Sequence, residues 1–278
     1  MKRILLLGAL CGAFALAAET RSLTITEGTD FAPKGVVKQE DGSLLITNNN
    51  GFRSIPAKRL KIDPAKSYEL KFELKLADGM DFAPSVSVAA NGCDAAGNMI
   101  VGAQASPVSG TETEVLEDAP KGATSLKLKS TAGWKAIPKL FLRSFSLAIG
   151  AKENFADVPN PRITPHVKKF AVSEEPGEIE FVRPVAYPIA AGTKVRVHLD
   201  QASFGIGTQY IKPTAEWKSF TIRILPRQEY ETGKIISGSC WWPGVESAGI
   251  YFSLRTGGKK IPAGSGVLIR NISLTEVE

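Results

Sequence analysis

The sequence predicts an all-β chain, a β-sandwich of the jelly-roll kind, and three observations predict it. Apolar and polar residues alternate with period two in one segment after another. Clusters of turn-forming residues separate those segments, and no stretch of ordinary helical length carries an apolar stripe at helical spacing. The 26 Gly and 17 Pro spread along 278 residues also argue against a helical bundle. An apolar fraction of 43% supplies a core and excludes wholesale disorder.

Residues 1–17 read as a leader rather than as part of the fold. Lys2 and Arg3 precede the apolar run ILLLGALCGAFALA (4–17), which is too short to span a bilayer. Ala15-Leu16-Ala17 gives the small-x-small pattern of a signal-peptidase site. The expectation is a cleaved signal peptide and an exported protein, periplasmic or extracellular, comprising residues 18–278. Leu10 stands before Cys11 where lipoprotein processing needs a small residue, so lipidation is not expected. No later run is long enough to insert in a membrane.

The strands follow in order. SLTIT (22–26) is the first, and YELKFELKL (68–76) is the clearest. Tyr68, Leu70, Phe72, Leu74 and Leu76 point one way along it, Glu69, Lys71, Glu73 and Lys75 the other. SLKLKS (125–130), LFLRSFSLAI (140–149) and GEIEFVR (177–183) come next. TKVRVHLDQ (193–201), SFTIRI (219–224), GIYFSLR (249–255) and VLIRNISLTE (267–276) complete the set. Turn clusters such as Ala77-Asp78-Gly79, Pro120-Lys121-Gly122, Ala191-Gly192-Thr193 and Thr256-Gly257-Gly258 lie between them. SLTIT and ISLTE (272–276) are suited to close one sheet, which favours one elaborated domain over 18–278. The alternative is two sandwiches, 18–153 and 166–278, parted at the proline-interrupted NFADVPNPRITPH (154–166).

Several stretches, in order, resemble non-catalytic carbohydrate-binding modules of the jelly-roll type. These are the xylan- and glucan-binding modules of secreted bacterial polysaccharide-degrading systems, within the galactose-binding-like superfold. SIPAKRLKIDPAKSYELKFELKL (54–76) is similar to their Tyr-led strand and its approach. VSVAANGCDAAGNMI (86–100) is similar to the next strand and turn, EWKSFTIRI (216–224) to the Trp-led strand, and AGIYFSLR with GSGVLIRNISLTE to the closing pair. The resemblance implies a secreted glycan-binding sandwich. Two departures stand out. The family's calcium-holding Asp-Asp strand reads Arg270-Asn271-Ile272-Ser273-Leu274 here, so no cofactor is expected and a structural calcium is doubtful on these residues. The segment of about 110 residues between Ala105 and Ala215 is also longer than such modules carry.

Charge and cysteine content narrow the chemistry. Without Lys2 and Arg3, 32 basic residues face 28 acidic ones, which fits an acidic polysaccharide partner and equally an ordinary surface. Without Cys11, only Cys93 and Cys240 remain to pair in an oxidising compartment, and the sequence leaves that disulfide open. Two histidines and no H-E-x-x-H argue against a zinc hydrolase. No G-x-S-x-G elbow or phosphate-cradling Gly-rich loop is present, and nothing predicts nucleic-acid binding. A jelly-roll lyase would find its nearest constellation in His198 beside Arg196 with Tyr210 downstream. The expectation is that the protein is not an enzyme.

Sugar binding needs flat apolar surfaces and planar polar groups. Adjacent Trp241 and Trp242, placed on extended backbone, would face opposite ways and expose one ring. Tyr210 and Trp134 are the further aromatic candidates, whereas Tyr68 and Trp217 are expected in the core. Lys194, Arg196, His198 and Asp200 form a polar stripe along one strand face, suited to floor a groove, with Arg196 as a fork of donors. His166 is assigned no role. A glycan-binding protein is thus the first reading. A structural or adhesive envelope protein is the second, and a polysaccharide lyase or hydrolase the third.

Overall fold

A computed structural model of the chain describes residues 21–278 except 49, 138, 140, 141, 143, 201–204 and 231–237. The leader read at 1–17 lies outside the described residues. The fold is all-β, as the alternation predicts. The first part of the chain forms β1 (Ser22–Ile25), β2 (Phe31–Ala32), β3 (Val36–Lys38), β4 (Leu44–Ile46), β5 (Gly51–Ser54), β6 (Leu60–Lys61), β7 (Ser67–Leu76) and β8 (Ser85–Cys93). A single helical turn, α1 (Gly102–Ala105), follows. Then come β9 (Thr113–Glu114), β10 (Ser125–Leu128), β11 (Phe145–Ile149), β12 (Val167–Lys169), β13 (Gly177–Phe181) and β14 (Lys194–Leu199). The last part forms β15 (Ile206–Ile211), β16 (Lys218–Ile224), β17 (Ser247–Arg255) and β18 (Val267–Val277). No helix among the described residues is long and apolar enough to cross a membrane.

The strands build four sheets. The first has the order β16-β7-β18-β4-β3, with β1 also on β18; the second has the order β15-β8-β17-β5-β2, with β6 on β17. The predicted closure by the two end segments is present, since Ser22 pairs with Thr275 and Ile25 with Ile272. One apolar core lies between these sheets. Leu70, Phe72 and Leu74 of the first meet Val86, Val88, Ile250 and Phe252 of the second. The remaining sheets, β11-β14-β9 and β10-β13-β12, enclose a second core that includes Leu126, Trp134, Phe145, Leu147, Ile179, Val195 and Val197.

The first core takes its residues from positions up to Ala105 and from Ile206 onward, and the second from Val108 to Leu199. The second sheet pair is therefore an insertion between β8 and β15, which are themselves hydrogen-bonded neighbours, with Ile206 opposite Ala90. This accounts for the long segment between Ala105 and Ala215. A boundary at 154–166 would run through the second core, because β11 and β12 on either side of it both supply that core. The outgoing and returning chains pair where they cross: Val108 N donates to Val197 O at 2.9 Å, and Leu199 N to Ser106 O at 2.8 Å.

Local chemistry corrects the reading of the tryptophans. Trp242-Pro243-Gly244-Val245 is a turn, closed by Val245 N on Trp242 O, with Pro and a left-handed Gly244 (φ 75°) in its two central places. The backbone is therefore not extended past Trp242, and both rings turn inward instead of to opposite faces. Trp241 packs edge-on against Tyr68 with centroids 5.2 Å apart.

Candidate functional site

A groove of about 750 Å³ opens on the inserted sheet pair. Its walls come from the chain at 109–114, from Lys129 and Ser130, from the loop Ala151–Phe155 and from β14. Lys194 and Arg196 of the predicted polar stripe are among its lining residues, and His198 and Asp200 are not.

Arg196 is 1% exposed although it sits on the strand face read as polar. Val195, Val197 and Leu199 fill the second core from one side of β14, while Ser146 and Ala148 stand beside His198 and Arg196 on the other. Those small neighbours leave room for the guanidinium. Its Nη2 donates to both carboxylate oxygens of Asp157, at 2.8 and 2.9 Å, and Nη1 donates to Lys152 O at 3.2 Å. Glu112 stands 3.8 Å away, and the Phe155 ring lies 4.8 Å from the guanidinium carbon. Burial alone would raise the Asp157 carboxyl. Hydrogen bonds from Asn160, the Lys152 amide and Arg196 outweigh it and hold the group below its ordinary value.

The loop that carries Phe155 is strained. Asn154 (φ 51°) and Phe155 (φ 57°) are consecutive non-glycine residues in the left-handed region, a conformation costing on the order of 1–2 kcal/mol each. The Phe155 ring is held between Arg196 and Tyr230, whose centroid is 5.1 Å away. The strain presents a half-buried aromatic ring in the groove wall.

His198 is wholly buried and faces the first sandwich instead of solvent. Its Nδ1 donates to Ala103 O of α1 at 2.8 Å, which leaves the Nε2 lone pair toward Arg196 Nη2 at 3.5 Å. Burial first, and then the Arg196 charge, lower its pKa from 6.5 to about 4. The unfolded chain therefore takes up this proton near pH 6.5 and the native one only near 4. Between those values the unfolded state binds more protons. The stabilisation is complete above about pH 6.5 and is lost as pH falls toward 4, by about 3 kcal/mol in all. Urea unfolding from pH 7 to 4 is expected to show that slope, and His198→Asn is expected to flatten it. An unchanged slope in the variant would assign the effect to other groups.

The other predicted residues are dispersed. Trp241, Trp242 and Trp134 are at most 1% exposed and offer no platform. Trp134 donates from Nε1 to Thr111 O and packs on Phe145 and Phe170 in the second core. Tyr210 is 50% exposed, but on β15 of the second sheet, with Arg255 over its ring. Asp200 pairs with His166 at 3.2 Å, outside the groove lining. Trp217 is half-buried instead of core, with Arg270 stacked 4.1 Å above it. Cys93 and Cys240 are buried and not joined, and burial pushes the Cys93 thiol up.

The lyase constellation is likewise not assembled. Both nitrogens of the buried His198 face protein partners, and Tyr210 belongs to a different sheet. Tyr230, whose ring packs on Phe155, donates to Ala105 O, and burial raises its pKa. Among the described residues no cluster of His, Cys, Asp and Glu is arranged to hold a metal ion. Sequence reasoning missed Phe155, which lines the groove, and Asp157, which holds Arg196 there; both lie in NFADVPN, where Pro159 is the residue that stands out. Comparison with protein-family models, curated proteins and solved structures finds no match to this chain.

Proposed function

We propose that the chain is an exported, non-catalytic carbohydrate-binding protein that holds a neutral, hydroxyl-rich ligand in the groove over Arg196. The observation that carries the reading is the makeup of that groove. It sets a strained aromatic ring, Phe155, among closely spaced donors and acceptors of opposing charge. Glu112, Glu114, Glu153 and Glu174 stand against Lys129, Lys152 and Lys194, while Arg196 is already neutralised by Asp157. A near-balanced set of this kind offers hydrogen bonds to hydroxyls without an excess charge to attract an ion. Its size lies within the range of small-ligand sites, roughly 300–1,000 Å³. Export rests on the leader-like residues 1–17.

Titration against an array of neutral oligosaccharides tests the reading. Binding is expected for at least one, and Phe155→Ala is expected to weaken it about tenfold by removing the ring contact. No neutral ligand on the array, or a Phe155→Ala variant that binds as the parent does, would sink the groove as the site.

A further inference from the structure

The outer face of the second sheet carries a different kind of surface. Its six strands contain no Asp or Glu. Register places Arg53, Lys61 and Arg255 on the side away from the core, and Arg59 beside them extends over Gly249 to donate to Gly97 O at 2.9 Å. Arg53 and Lys61 have no carboxylate partner among the described residues, nor does Arg59. The adjacent Asp94 accepts from the Asn98 amide and side chain. Two of the guanidinium groups lie over tyrosines, Arg53 at 5.5 Å from the Tyr251 ring and Arg255 at 4.7 Å from Tyr210.

Between these pairs the floor is made of small residues, and two of its polar atoms are unanswered. Ser87 Oγ and Asn91 Nδ2 are buried and have no hydrogen-bond partner. Both sit on β8, the strand between the Tyr210 and Tyr251 strands. A buried donor without an acceptor costs about 1–3 kcal/mol, and an acceptor-rich ligand shifting the overlying arginines would relieve it.

We infer that this face binds an acidic polysaccharide, with the arginines taking its carboxylate or sulfate groups in bidentate fashion. Guanidinium forks match planar and tetrahedral oxyanions, and tyrosines beneath them keep the forks ordered. The choice of a polysaccharide among polyanions rests on the carbohydrate reading above, whereas the anion preference rests on this face alone.

The test is affinity electrophoresis and titration of the full chain against polygalacturonate, dextran sulfate and an uncharged β-glucan. Retention by one acidic polymer is expected at low ionic strength and should decline as salt rises. The pair Arg53→Gln with Arg59→Gln is expected to reduce it on the order of tenfold. Arg53→Gln with Lys61→Gln serves as a second variant that leaves the Arg59–Gly97 bond in place. Phe155→Ala should leave acidic-polymer binding unchanged, so failure of the groove and failure of this face are read separately. The polymer that binds distinguishes carboxylate from sulfate. Absence of acidic-polymer binding, or binding indifferent to both variants, overturns the inference. Equal, arginine-dependent binding to DNA or to anionic phosphatidylserine vesicles overturns the assignment to polysaccharide.

Discussion

Arg196→Met is expected to lower the unfolding free energy by about 3–5 kcal/mol, because it leaves the Asp157 carboxylate buried without its cation. The Asp157 side chain is only 6% exposed, so water cannot replace the guanidinium without opening the loop. Asn160 and the Lys152 amide would still donate to the carboxylate, which places the loss at the lower end. The double variant Arg196→Met, Asp157→Leu is expected to recover much of the deficit, since two apolar groups of similar volume remove both desolvation costs. Denaturant unfolding of the four members of that cycle measures the coupling directly. A single variant as stable as the parent would mean that the pair contributes registration of the 151–157 loop and little free energy.

Trp241→Ala is expected to cost a similar amount, about 3–5 kcal/mol, by opening a cavity beside Tyr68 in the first core. Groove affinity per folded molecule should not change, because the ring belongs to the first core and does not line the groove. Trp241→Phe discriminates further. The indole Nε1 has no hydrogen-bond partner, so removing it relieves a desolvated donor while giving up part of the ring. Its expected cost is therefore well below that of the alanine change. Thermal unfolding of both variants, with ligand titration at a temperature where each is folded, checks the two statements. Lost binding in a folded Trp241→Ala protein would return that ring to the site.

The architecture was legible where one face of a strand meets the core and the other meets water. Tyr68, Leu70, Phe72 and Leu74 are all buried, with charged residues between them, because β7 lies in a sheet whose outer face is open. Alternation failed as a guide to exposure on β14 and β17, where both faces are covered. The 151–160 loop and α1 lie over Arg196 and His198, and arginine side chains lie over Gly249 and Tyr251. That cover is placed by chain crossings many residues away, and no local period records it. The candidate site was legible to the same depth. That β14 carries Arg196 on its polar side follows from the pattern; its burial against Asp157 does not. The ring beside it depends on two left-handed residues, for which Asn154-Phe155 gives no compositional sign.

The paired crossing of the insertion bears on how the chain reaches its fold. β8 and β15 are adjacent in one sheet, so residues 94–205 are in topological terms the loop of a β-hairpin. Closing a flexible loop of roughly a hundred residues costs about 3 kcal/mol more entropy than closing one of four. Once Val108 has bonded to Val197 and Leu199 to Ser106, most of that length is withdrawn from the loop. What remains to be closed is the short run from Asp94 to Ala105 and the few residues after Leu199. His198 anchors that junction on Ala103. Once formed, the insertion is a clasp on its host, holding two distant parts of the chain within reach of each other.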